Sequence, residues 1–160
     1  MKRHLYLMSL STLMLLAGTS GPAAQAEGDP AGHVLLAPEN LKWVDIPTLP
    51  GAKQAVLYGN PKEAGPYVMR IKFPPNTKNP PHTHPDNRQA TVISGTWYFG
   101  HSDKFDASKE KKLPSGTFFT EPANSVHYNL TKGGAVIIQV SGTGPTGTTY
   151  LKSAEASKQK

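Results

Sequence analysis

The residues best suited to chemistry in this chain are histidines, of which there are six. His82-Thr83-His84 sets two imidazoles two residues apart. On an extended segment that spacing puts both on one face, with Cα atoms about 6.6 Å apart. Two ring nitrogens so placed can converge on one ion at about 2.0–2.1 Å each. His127 sits in Val126-His127-Tyr128, whose flanking residues should face the other way. A closed barrel would bring it to the same point. Three imidazoles with one position left open form the donor set of a catalytic rather than a structural metal. Hydrogen-bonded strand histidines would show the same H-x-H spacing. His33 in a polar segment and His101 after Gly100 read as surface residues, and His4 falls in an N-terminal leader.

Other chemistries find less support. There is no cysteine, so disulfides and thiolate ligands are excluded, and with them a structural zinc knot. No Ser-His-Asp arrangement and no carboxylate pair can be identified. The formal charge is +6, but the basic residues are scattered and not interleaved with aromatics, so nucleic acid is not an expected partner. Asn129-Leu130-Thr131 fits a glycosylation acceptor, a motif too short to weigh much.

Elements that could position the histidines begin at Leu41. Short apolar segments alternate with Gly, Pro and Asn, predicting strands over Leu41–Ile46, Gln54–Tyr58, Tyr67–Phe73, Gln89–Phe99, Thr117–Thr120, Val126–Asn129, Ala135–Val140 and Thr148–Leu151. Tyr67, Met69, Ile71 and Phe73 fall on one face of their strand, with Arg70 and Lys72 on the other. Ser94-Gly95 predicts a sharp bend and Lys132-Gly133-Gly134 a hairpin turn. Gly142, Gly144, Pro145 and Gly147 predict a flexible loop, and Asp106–Lys112 a short helix. About eight strands without alternating helices predict an all-β sandwich or barrel in one domain.

Two stretches resemble the paired motifs of the cupins. From Asn76 to Gly95, His82 and His84 match the H-x-H pair and Gly95 closes the first motif; from Gly116 to His127, Gly116, Pro122 and His127 match the second. Asn76 and Asn124 stand where the pattern has Gly, a mild change because Asn tolerates left-handed backbone. The resemblance covers roughly Leu41 to Leu151. It implies a double-stranded β-helix, the jelly-roll barrel, with a divalent ion held by His82, His84 and His127, a small-molecule ligand or substrate, and often a homodimer. It also points to a small-cupin subgroup carrying signal peptides.

One departure stands out. The first motif places a Glu where this chain has Arg88, and a guanidinium has no lone pair to offer a metal. Three arrangements follow. Arg88 swings aside and leaves a three-histidine site; Gln89 or Asp86 supplies an oxygen in its place; or the site is metal-free and Arg88 grips a carboxylate or phosphate. Imidazole ligation suits Zn, Fe, Cu or Ni.

Lys2 and Arg3, an apolar run from Leu5 to Gly18 and the sequence Ala24-Gln25-Ala26 predict a signal peptide over residues 1–26. A run of 14 residues is too short to span a membrane. An arm over 27–40, a barrel over 41–151 and a polar tail over 152–160 follow. The expected mature protein is periplasmic or secreted and leaves the membrane after cleavage. Its expected activity is a metal-assisted dioxygenation, decarboxylation or isomerisation of a small molecule, with a non-catalytic binding or sensor barrel as the rival.

Overall fold

The computed structural model describes residues 32–151; the predicted signal peptide, the start of the arm and the predicted tail lie outside them. Two antiparallel sheets make up the fold. The strands are β1 (Val44–Asp45), β2 (Lys53–Tyr58), β3 (Gly65–Phe73), β4 (Lys78–Thr83), β5 (Arg88–Ser94), β6 (Thr96–Gly100), β7 (Lys111–Pro114), β8 (Phe118–Glu121), β9 (His127–Leu130), β10 (Val136–Gly144) and β11 (Thr149–Tyr150). One sheet runs β1-β2-β3-β10-β5-β8 and the other β11-β4-β9-β6-β7. No α-helix occurs among the described residues. The jelly-roll expectation holds.

The core lies where the two inner faces meet. Tyr67, Met69, Ile71 and Phe73 are buried from β3 while Lys72 is exposed, the alternation expected of a half-buried strand. Ile138 and Val140 join them from β10, and Trp97 and Phe99 come from the opposite sheet. Phe73 packs on Trp97 with ring centroids 4.4 Å apart, tying the layers together.

Gly95 is where the chain leaves one sheet for the other, between β5 and β6. Its φ is +82°, and a Cβ there would stand 2.4 Å from the Ala135 carbonyl oxygen. Asn76 and Asn124 have φ of +58° and +60°, the left-handed backbone expected for residues standing in glycine positions.

Several local expectations are corrected. β4 was hidden by Pro80 and Pro81, which lack the N–H that a ladder uses; the strand accommodates them with a register shift between Asn79 and His82. The helix expected over Asp106–Lys112 is one 3-10 turn, Ala107–Lys109, whose Asp106 cap accepts from the Ser108 N–H; the chain then extends as β7 along β6. Lys132-Gly133-Gly134 does not close a hairpin, because β9 and β10 lie in different sheets. Gly142 and Gly144 belong to β10, paired with Tyr67 and Gly65 of β3.

Candidate metal centre

His82 and His127 face each other as register partners on β4 and β9, and His84 follows just beyond β4. All three are buried. Their rings meet edge-on or tilted, with centroids 4.3 Å apart for His82 and His127, 4.9 Å for His82 and His84, and 5.1 Å for His84 and His127. One nitrogen from each lies within 4.8 Å of the others, so these three residues could hold a metal ion.

Each ring is oriented by the backbone. His82 Nδ1 lies 2.6 Å from the Pro80 carbonyl oxygen, His84 Nδ1 2.6 Å from that of Gly147, and His127 Nδ1 3.0 Å from that of Ser125. A carbonyl only accepts, so Nδ1 carries the proton in every case and Nε2 keeps its lone pair. Outer hydrogen bonds of this kind fix the tautomer of metal-ligating histidines. Phe99 stacks against His127 at 5.2 Å and 25°. The Asn124 N–H donates to the His84 carbonyl at 2.7 Å, tying the two histidine-bearing loops together.

Burial keeps the rings neutral. It lowers the pKa of His82 to about 4, with His127 adding to the effect, and that of His127 to about 4. His84 falls to about 2, by burial first and the Arg88 cation second.

Glu121, at the end of β8, completes the cluster, and sequence reasoning missed it. It is 2% exposed. Its Oε1 lies 3.5 Å from His127 Nε2 and its Oε2 3.7 Å from His84 Nε2. With the histidines neutral these are not ion pairs: lone pairs face lone pairs. Arg88, its cross-strand partner on β5, brings Nε to 3.1 Å from Oε2, a charge contact without hydrogen-bond alignment. His127 Nε2 and Glu121 Oε2 are therefore buried without a hydrogen-bond partner. Buried polar atoms so left are costly unless something satisfies them. A cation would do so, since donors 2.0–2.1 Å from a tetrahedral ion stand about 3.4 Å apart. The donor chemistry and the orphaned atoms both fit a divalent ion.

Arg88 thus lies at the cluster, facing Glu121. Asp86 and Gln89 lie elsewhere, along a separate depression that Tyr58, Pro66 and Ser141 also line. Asp86 is buried and accepts from Tyr67 Oη at 2.7 Å and Thr146 Oγ1 at 2.5 Å. Burial of Tyr67 itself pushes its hydroxyl up to about 12. Gln89 is exposed. Asn129 and Thr131 are each 2% exposed, which closes the glycosylation motif in the folded protein.

A cavity of about 200 Å³ adjoins the cluster. His82, His84, Arg88 and Glu121 line one part of it, with Met69 and Ile138 on the apolar side; exposed Thr48, Lys62 and Thr148 mark its open side.

The signal that would have found Glu121 lay in the sequence. A cation at a position expected to be anionic needs a buried counter-charge, and Glu121 is the acid that the second motif carries beside Pro122.

Comparison with known proteins agrees with this fold. The polyketide cyclase RemF from Streptomyces resistomycificus superposes with a TM-score of 0.60 at 17% identity, covering 74% of this chain and 87% of that one. An RmlC-like cupin from Shewanella frigidimarina gives 0.56 at 19%, covering 69% and 90%. At these identities the likeness is one of fold. Germin-like protein subfamily 1 member 16 from Arabidopsis thaliana is 30% identical over 107 residues, 64% of this chain and 44% of its own length. The chain spans less than half the length of the curated germin-like relatives it matches. The family model for the ChrR cupin-like domain matches residues 31–146. This chain therefore belongs to the ChrR cupin-like family, within the cupins.

Proposed function

We propose that this domain holds one divalent metal ion through His82, His84 and His127 and brings it to bear on a small molecule in the adjoining cavity. The observation that carries the reading is the common tautomer: three Nδ1–H groups are given to backbone carbonyls, leaving each Nε2 its lone pair in a group of three rings that bring one nitrogen apiece within 4.8 Å of the others. When bound, such an ion supplies a Lewis acid that polarises an oxygen of the ligand. The chain's own residues hold and shape the site. The carbonyls of Pro80, Gly147 and Ser125 fix the rings, Phe99 backs His127, and the side chains of Met69 and Ile138 present an apolar wall.

At about 200 Å³ the cavity is below the usual range for drug-sized ligands, so its occupant is small. A dioxygenase, decarboxylase or isomerase type of reaction is the activity to screen, in a protein exported by its first 26 residues. The metal-free alternative, in which Arg88 serves as an anion clamp, has less support because the guanidinium already faces a buried carboxylate.

The test is metal titration of chelator-treated protein against a competing chelator. The wild type should take up about one equivalent, and a His82→Ala/His84→Ala variant should bind at least about a hundredfold more weakly. Equal binding by the two proteins would refute the site.

A further inference from the structure

Resting on that reading, we propose that Glu121 is the fourth protein ligand of the metal, a carboxylate delivered from β8, with Arg88 across the strand pair as the residue that positions it. Three observations lead there. Glu121 is almost fully buried, and Oε2 has no hydrogen-bond partner. Its two oxygens stand 3.5 and 3.7 Å from the Nε2 atoms of His127 and His84, the separation of neighbouring donors on one ion rather than of hydrogen-bonded groups. Arg88 and Glu121 are register partners on β5 and β8, so the ladder itself fixes the carboxylate beside the histidines.

Stability alone does not account for the pair. Burying two charges costs about as much as their attraction returns, and apolar residues of similar volume would serve the fold as well or better. A role for the carboxylate in the site explains why the charges are there. Arg88 is then not an intruder in the metal site. Its Nε stands 3.1 Å from Oε2, the oxygen that also faces His84, while Oε1 faces His127, and it offsets the negative charge when the ion is away.

A carboxylate ligand also changes the expected ion. Three imidazoles alone suit Zn, Cu, Fe or Ni, whereas an added carboxylate brings an oxygen donor acceptable to Mn and favourable to Fe(II). The ligand set becomes three nitrogens and one oxygen.

Cobalt(II) titration monitored by visible absorption tests this on the full-length chain, with affinity measured by chelator competition. Glu121→Gln should lower the affinity at least about tenfold and move the cobalt absorption bands. The double variant Glu121→Gln/Arg88→Gln separates ligation from simple charge balance. If Glu121 is a ligand, the double variant stays weak and keeps the altered spectrum. If Glu121 only balances Arg88, removing both charges restores wild-type affinity and bands, which overturns the proposal. Wild-type affinity and spectrum in Glu121→Gln alone would overturn it too, while leaving the three-histidine reading intact. Failure of the wild type to bind cobalt would refute the three-histidine reading itself, and this inference with it. Circular dichroism of each variant confirms that a loss reflects the site and not an unfolded chain.

Discussion

Each of the three histidines has its acid–base state set by the place it occupies. Burial disfavours the charged form of each ring and outweighs the backbone hydrogen bond that favours it, so all three titrate below the ordinary value of 6.5. The unfolded chain then binds more protons than the folded one between about pH 4 and 6.5, and stability falls as pH drops through that window. The urea midpoint of metal-free protein should therefore decline from pH 7.5 to pH 5. A variant with all three positions changed to Gln should decline less; equal slopes would show that the rings do not sense their burial. Much at this scale was legible from sequence. The histidine trio follows from H-x-H and a second motif, and the left-handed Asn76 and Asn124 follow from the chemistry of asparagine. Glu121 did not follow, because its meaning depends on a partner 33 positions away along the chain.

Among the elements, the β5–β8 rung carries the site's two buried charges, Arg88 and Glu121. Arg88→Leu leaves Glu121 buried without its counter-charge, a change that typically costs about 3–5 kcal/mol, and metal binding should recover part of that loss. Denaturant unfolding with and without metal measures both. Arg88→Glu sets two carboxylates on one rung and should destabilise the metal-free protein similarly. The exchanged pair Arg88→Glu/Glu121→Arg restores the charge balance and should fold better than either single change, as a double-mutant cycle will show. Gly95→Ala should be costly for a different reason. It asks a side chain to adopt φ of +82° with its Cβ against the Ala135 carbonyl, and a loss of at least about 2 kcal/mol is expected in the same unfolding assay. The strands that sequence missed are those whose local chemistry argues against a strand. The prolines of β4 remove ladder donors, and the Asp106 cap before β7 imitates a helix start.

For the whole molecule, the cluster joins the two layers of the barrel. His82 and His127 come from the five-stranded sheet, and Arg88 and Glu121 from the six-stranded one. A metal that binds only the folded state stabilises it by about 2.7 kcal/mol at a hundredfold excess over Kd. For a domain of this size that amounts to a rise in Tm of roughly 10 °C, reversed by chelator. The His82→Ala/His84→Ala variant should show no such rise, since both of its missing rings belong to the cluster.

Elemental analysis of the protein, purified without an affinity tag, beside the same His82→Ala/His84→Ala variant measures the occupancy of the histidine site directly. Near-stoichiometric divalent metal is expected in the wild type and background levels in the variant. A wild-type protein that carries no metal, even after reloading with Mn, Fe, Co and Zn in turn, would contradict the three-histidine reading.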